Sequence, residues 1–150
     1  MRTFNGIAEL REAIGTHLGH STRHSVTQDQ IDLFAEATGD HPWIHVDAER
    51  AAQGPFGSTI AHGYLTLSLF PKLMWEVYKI DGLRMGINYG SNKLRFPAPV
   101  PVDSRIRAGV ELLALKPGSG GKLLESRITV EIEDSEKPAC IIETLSVMVP

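Results

Sequence analysis

The sequence has a single cysteine, Cys140, and little that would direct it to a membrane or a nucleic acid. One cysteine rules out an intrachain disulfide. No apolar run approaches the ~18 residues that a membrane-spanning helix needs, and the N-terminal segment lacks the apolar stretch of a signal peptide. The formal net charge of −3 gives no overall basic field. We therefore expect a cytoplasmic protein that binds neither nucleic acid nor membrane.

What is present is the composition of an ordinary globular domain. The 150 residues are 42% hydrophobic and 22% charged, and no internal repeat or low-complexity linker divides them. We expect one domain covering residues 1–150.

The first half of the chain has the hydrophobic period of helices. Thr27, with Gln30 three residues on, predicts a capping box, and Gly39 follows as a C-cap glycine. A long helix is predicted over Ile60–Val77, with Thr59 as its N-cap and a bend at Pro71. This helix is apolar on most sides, which is typical of a helix enclosed by other structure. Two short helices are also predicted, at 7–14 and 47–53, and irregular backbone at 40–44.

The second half alternates apolar and polar residues with a period of two. Four strands are predicted, around residues 94–96, 106–110, 124–132 and 141–147, separated by turn-forming residues at 97–101, 116–121 and 134–138. Helices followed by consecutive strands indicate an α+β fold with a largely antiparallel sheet. Curvature of that sheet around the long helix gives the hotdog architecture: a curved antiparallel sheet wrapped around a long central helix.

Asp40 and His45 are the candidate acid–base pair. Their spacing places them about 140° apart on a regular helix, so joint action requires irregular backbone, which Gly39 and Pro42 favour. A carboxylate and an imidazole at one water molecule suit the addition of water to a double bond. The alternative is structural: Asp40 bonding to N–H groups of the turn, and His45 a half-buried core histidine.

Gly63 is unusual because a glycine within a helix costs ~1 kcal/mol relative to alanine. Placed in the first turn, it lets a substrate carbonyl approach an unpaired backbone N–H, which is a donor for a developing oxyanion. Alternatively, Gly63 only permits close packing. His62 either lines the same pocket or bonds to a backbone carbonyl.

Together these segments resemble MaoC-like, (R)-specific enoyl-CoA hydratases. The resemblance rests on the runs Gly39–Asp47 (GDHPWIHVD), Ile60–Gly63 (IAHG) and Phe96–Val100 (FPAPV). It implies that Asp40 and His45 hold the attacking water and that the Gly63 N–H polarises the thioester carbonyl. Pro42 and Trp43 stand where the family usually has Asn and Pro, and this variation is closer to a nodulation protein N-like subgroup.

The resemblance implies reversible hydration of trans-2-enoyl-CoA to (R)-3-hydroxyacyl-CoA. No metal or redox cofactor is expected, because the conjugated thioester is itself the electrophile, and coenzyme A is part of the substrate. Family members are usually homodimers whose sheets join edge to edge. Trp43 and Ile60, within the motifs, are further candidates for substrate contact, as is His62.

Lys93 and Arg95 are candidates for the phosphates of coenzyme A, and a solvated strand face is the alternative explanation. His17, His20 and His24 have the spacing of metal ligands on a helix, but the glycines around them argue against a helix. Cys140 is expected in the core. Two competing functions remain: an acyl-CoA thioesterase, and a non-catalytic acyl-thioester-binding protein.

Overall fold

A computed structural model describes all residues, Met1–Pro150. The helices are α1 (Ile7–Glu12), α2 (Gln28–Thr38), α3 (Trp43–Val46), α4 (Ala48–Ala52), α5 (Gly63–Ser68) and α6 (Phe70–Val77). The strands are β1 (Arg2–Asn5), β2 (His17–His20), β3 (His24–Ser25), β4 (Tyr78–Asp81), β5 (Met85–Arg95), β6 (Arg105–Gly118), β7 (Gly121–Ile132) and β8 (Cys140–Val149). No helix in this structure is long and apolar enough to cross a membrane.

The main sheet is antiparallel and follows the order β2-β6-β7-β8-β5, with β3 also paired to β6. Strands β1 and β4 form a separate parallel pair. All four predicted strands are present, so the antiparallel sheet expected from the sequence is confirmed. The first two are longer than predicted, because β5 begins at Met85 and β6 continues to Gly118. The turn predicted at 116–121 is therefore wrong in extent: β6 and β7 pair as far as Gly118 and Gly121, which leaves only residues 119–120 between them.

One face of the sheet is apolar and carries the helices. Its alternating inward residues are fully or nearly fully buried on β6, β7 and β8, as with Ile106, Ile128 and Ile142. Helix α6 lies against β6 and β2, and α5 against β8, so the helical segment crosses the sheet. This is the hotdog arrangement. Cys140 is fully buried in this core, where burial raises the pKa of its thiol to about 11.

The predicted helix Ile60–Val77 was wrong in its start and its continuity. Ile60 pairs with Pro101, and the Ala61 N–H donates to the Val100 carbonyl, so these residues are extended. Helix α5 therefore begins at Gly63 with His62 as N-cap, and Thr59 caps nothing. The helix is interrupted at Leu69, two residues before the bend expected at Pro71. Pro71 has no N–H to donate to the preceding turn.

The predicted caps of the shorter helices are present. Thr27 Oγ1 accepts from the Gln30 N–H at 3.2 Å, and Gly39 ends α2 in the left-handed conformation with φ of 73°. The Gln30 side chain does not bond back to the Thr27 N–H, so only the Thr27 half of the predicted capping box forms. Asp47 Oδ1 accepts from the Arg50 N–H at 3.0 Å. The irregular segment is shorter than predicted, because helix α3 begins directly after Pro42.

Two further sequence expectations concern exposure and the amino-terminal histidines. The long helical segment is not enclosed on most sides in the single chain: Tyr64 and Trp75 are 65% and 69% exposed. His17, His20 and His24 lie on edge strands β2 and β3 rather than on one helical face, as expected.

Candidate active site

His45 is held in α3 as a buried, neutral base. It is 8% exposed, and its Nδ1 lies 2.7 Å from the carbonyl of Ile60. Because a carbonyl only accepts, the proton of the neutral ring is on Nδ1, which leaves Nε2 as a free acceptor. Burial lowers the pKa of His45, and the bond to Ile60 opposes that shift only in part. The ring is therefore prepared to accept a proton at Nε2.

A glutamine from α2 hydrogen-bonds to the backbone of this histidine. Gln28 Nε2 donates to the His45 carbonyl at 2.7 Å, and Gln28 Oε1 accepts from the buried Thr59 hydroxyl at 2.5 Å. Thr59 is the neighbour of Ile60, whose carbonyl bonds to the His45 ring. The Gln28 side chain therefore links α3 to the segment that contains Thr59 and Ile60. Gln28 was not predicted from the sequence, because a glutamine in the first turn of a helix gives no indication of a partner 31 residues away.

Asp40 meets His45 across the irregular backbone that the sequence predicted. Its carboxylate is 54% exposed and directly follows the left-handed Gly39. One Asp40 carboxylate oxygen, one His45 ring nitrogen and one His62 ring nitrogen all lie within 4.8 Å of one another. No backbone N–H of the turn donates to this carboxylate, so the structural alternative for Asp40 is not what the structure shows.

Gly63 is the first residue of α5, and its N–H has no acceptor within the chain. A Cβ on Gly63 would lie 3.3 Å from three atoms of the Phe96 ring. The glycine thus permits close packing, as one interpretation held, and it also exposes an unpaired donor, as the other required. The two interpretations are compatible.

A mainly apolar cavity of about 330 Å³ adjoins His45 and Gly63. It is lined by His45, Phe56, Ile60, Ala61, Gly63, Thr66, Phe96, Ala98, Pro99, Val100 and Ala139. Phe56 was not predicted as a site residue. Phe96 entered the prediction only as part of the Phe96–Val100 motif, and that motif forms one wall of the cavity.

The remaining predicted substrate contacts lie in different places. Ile60 lines the cavity, whereas His62 lies beneath His45 and does not. The guanidinium of Arg50 lies 4.5 Å from the ring of Trp43, and Gly54 packs against the same ring, so Trp43 does not line the cavity. Contact of Trp43 and His62 with substrate stays a prediction.

Lys93 and Arg95 lie on the exposed strand β5, next to Phe96. Lys93 Nζ is 4.0 Å from Glu143 and its side chain is 76% exposed, while Arg95 donates to the neighbouring carbonyl of Leu94. Neither residue lines the cavity. Their contact with the phosphates of coenzyme A stays a prediction.

Asp40, His45 and His62 have the proximity of a metal-binding triad. Their orientation favours a hydrogen-bonded site instead. The two imidazoles stack with centroids 3.9 Å apart and planes 22° from parallel, so their in-plane lone pairs do not converge on one ion at ~2.0 Å from each nitrogen.

Comparison with known proteins gives the family. A model of the MaoC-like domain matches residues 9–133, which include Asp40, His45 and Gly63. The chain belongs to the MaoC-like family. It is 52% identical over 146 residues to 3-hydroxyacyl-thioester dehydratase Z of Mycobacterium tuberculosis, covering 97% of both chains.

One further relative and one solved structure are also similar to this MaoC-like chain. It is 41% identical over 145 residues to Nodulation protein N of Rhizobium leguminosarum bv. viciae, covering 95% of this chain and 90% of that one. The resemblance to the nodulation protein N-like subgroup is thereby confirmed. Among solved structures, R-hydratase PhaJ1 from Pseudomonas aeruginosa superposes with a TM-score of 0.77 at 26% identity, covering 95% of this chain and 84% of that one.

Proposed function

We propose that this protein is a hydro-lyase that interconverts a trans-2-enoyl thioester and the (R)-3-hydroxyacyl thioester, with coenzyme A as the thiol. One observation carries the proposal: His45, with its Nε2 free, and Gly63, with its N–H unpaired, line the same apolar cavity. A carboxylate oxygen of Asp40 lies within 4.8 Å of a ring nitrogen of His45. A relative named for 3-hydroxyacyl-thioester dehydration, 52% identical, supports the same reaction class.

The chemistry assigned to these groups is acid–base addition of water. Asp40 and His45 hold the water and take one of its protons while its oxygen bonds to C3 of the substrate. The electron pair of the double bond moves to the thioester oxygen, where the Gly63 N–H stabilises the enolate, and the acid–base pair returns one proton to C2. Acid–base assistance contributes ~10²–10⁴-fold, and one oxyanion donor ~10²–10³-fold.

The apolar cavity is the proposed acyl site, and Lys93 and Arg95 are the proposed partners of the coenzyme A phosphates. The substrate supplies its own electrophile, the conjugated thioester, so the proposal includes no cofactor. We place the reaction in the cytoplasm, because the one thiol, Cys140, is a buried core residue and not half of a disulfide.

We also propose that two copies associate through β5. This 11-residue strand is an edge of the main sheet and is exposed along nearly its whole length. Tyr89 and Ile87 on it are 70% and 46% exposed, and a long exposed edge strand is a template for pairing with another chain. Sedimentation equilibrium should give a dimer that Tyr89→Lys dissociates. Leu33→Lys, at an equally exposed apolar residue on α2, is the control that should stay dimeric.

Crotonyl-CoA distinguishes the proposed hydratase from its alternatives. Wild-type protein should remove the absorbance of the conjugated thioester without releasing thiol, and chiral chromatography of the product should give the (R)-3-hydroxy form. Thiol release would identify a thioesterase. Tight binding with neither change, over several acyl chain lengths, would identify a binding protein.

A further inference from the structure

His62 is buried at the centre of the candidate site but belongs to none of the groups assigned above. It is 2% exposed and forms the N-cap of α5. Its ring stacks on His45 with centroids 3.9 Å apart, and Phe34 packs against it at 4.9 Å. We propose that His62 is a positioning residue for the hydration, which ties the Asp40 loop and the His45 ring into one arrangement. This inference rests on the proposed function.

The link to Asp40 is a single hydrogen bond. His62 Nε2 lies 2.9 Å from the backbone carbonyl of Asp40, which accepts its proton. No other hydrogen bond within the chain reaches Asp40, through either its backbone or its carboxylate. Because the carboxylate is 54% exposed, no other polar contact within the chain fixes where it lies relative to His45. The imidazole of His62 is therefore the tether of the Asp40 loop.

The second ring nitrogen of His62, Nδ1, indicates that this histidine is present for a polar contact and not only for packing. His62 Nδ1 is buried and has no hydrogen-bond partner. An unpaired buried nitrogen costs free energy that an apolar side chain of similar size would not. If position 62 served only packing, an apolar side chain would avoid the cost of burying Nδ1. The compensating polar interaction is the donation from Nε2 to Asp40.

His62 is not itself assigned to proton transfer. Its Nε2 proton is engaged by a backbone carbonyl, and the ring does not line the cavity. Its contribution is geometric: stacking holds the plane of the His45 ring, whose other fixed point is the Ile60 carbonyl. Loss of this tether should lower turnover while leaving the apolar acyl site intact.

A pair of variants separates the tether from packing. The amide nitrogen of His62→Gln reaches about as far as Nε2 and can donate to Asp40, whereas His62→Leu fills a similar volume without a donor. We expect His62→Leu to lower kcat by about 100-fold, the cost of misplacing a reacting group by about 1 Å, with KM little changed. His62→Gln should recover most of that loss. His41→Gln, at the exposed neighbouring histidine, is the control that should match wild type.

Two outcomes overturn the proposal. If both His62 variants retain wild-type kcat, no positioning is needed. If Gln loses as much as Leu and one limb of the pH profile disappears in both, His62 transfers protons itself.

A measurement on the wild-type protein covers the case in which His62→Leu does not fold. Nitrogen NMR of labelled histidines at pH 9, where the rings are neutral, should show the His62 proton on Nε2; a proton on Nδ1 contradicts the tether. This readout needs no turnover. If the wild-type protein is inactive but His62 carries its proton on Nε2, the proposed function is rejected and the tether stands. If the protein is active but His62 carries its proton on Nδ1, only the tether is rejected.

Discussion

The imidazole of His45 donates its Nδ1 proton to the backbone carbonyl of Ile60 over 2.7 Å, joining α3 to the segment that leads into α5. This bond fixes the tautomer of the ring and directs Nε2, the acceptor, away from Ile60. The same segment continues through His62 to Gly63, so one stretch of backbone positions both the proposed base, His45, and the proposed oxyanion donor, Gly63. Their relative position therefore follows from the extended conformation of Ile60–His62.

Proton NMR titration of His45 should give a pKa below its ordinary value of 6.5, because burial disfavours the charged ring. Replacing Asp40 with Asn should lower this pKa further, since the Asp40 carboxylate stabilises the imidazolium. A pKa at or above 6.5 in the wild type, or a rise in Asp40→Asn, would contradict the assigned electrostatics.

Stability should follow the same titration. A group whose pKa is lower in the folded state takes up a proton more readily when unfolded, so folding loses free energy as pH falls below about 6.5. Urea unfolding of wild type and His45→Gln should show the variant gaining relative stability between pH 7 and pH 5. If the difference in unfolding free energy between wild type and His45→Gln did not change with pH, His45 would not be buried as a neutral imidazole.

Gly63→Ala should act through Phe96. The added methyl would meet the Phe96 ring at 3.3 Å, so the ring must move by a few tenths of an ångström within the cavity wall. We expect kcat/KM to fall about tenfold, less than the 10²-fold cost of a 1 Å misplacement. Stability should change little, because alanine regains ~1 kcal/mol of helix propensity.

Phe96→Leu provides the matched background for this test. With the smaller side chain at position 96, the same Gly63→Ala change should cost measurably less activity, as in a double-mutant cycle. Equal costs in the two backgrounds would show that the methyl acts directly on the substrate and not through Phe96.

Glu76 anchors α6 to the amino-terminal edge of the sheet. Its carboxylate accepts from the Thr22 hydroxyl at 2.6 Å and the Thr22 N–H at 2.9 Å, and contacts His24 Nε2 at 2.5 Å. These bonds, the Thr22 hydroxyl first, lower the pKa of Glu76 below 4.5. Its contribution to stability is therefore present above pH 4.5 and is lost as pH falls through the lower folded value.

Glu76→Gln should lower Tm at pH 7 by about 3 °C or more, equivalent to about 1 kcal/mol in a chain of this size. The matched control is Glu36→Gln, whose 78% exposed side chain pairs only with His41 and should change stability by under ~0.5 kcal/mol. Equal Tm values for the two variants at pH 7, or a Glu76→Gln effect that does not shrink as pH falls below 4.5, would refute the anchor.

The sequence predicted the parts of the molecule that depend on neighbouring residues. The Thr27, Gly39 and Asp47 caps and the four long strands are local patterns, and each is present. The irregular backbone around Asp40 and His45 was also predictable, because Gly39 directly precedes the pair and Pro42 lies within it. Resemblance to a family supplied the remaining link, from Gly63 to the same site.

The sequence failed where distant contacts override local preference. Thr59 has the residue type of an N-cap, yet its hydroxyl donates to Gln28 and the next residues pair with Val100 and Pro101. Only the folded chain shows those partners. The tether from His62 to Asp40 spans 22 residues, and no spacing rule indicates it.

The most direct test of the acid–base pair compares initial rates of crotonyl-CoA hydration by wild type, Asp40→Asn, His45→Gln and the exposed-site control His41→Gln. Asp40 and His45 act on one water molecule in this account, so each of their variants should lose ~10²–10⁴-fold in kcat with the fold intact by circular dichroism, while His41→Gln matches wild type. A near-wild-type rate in either Asp40→Asn or His45→Gln would contradict it.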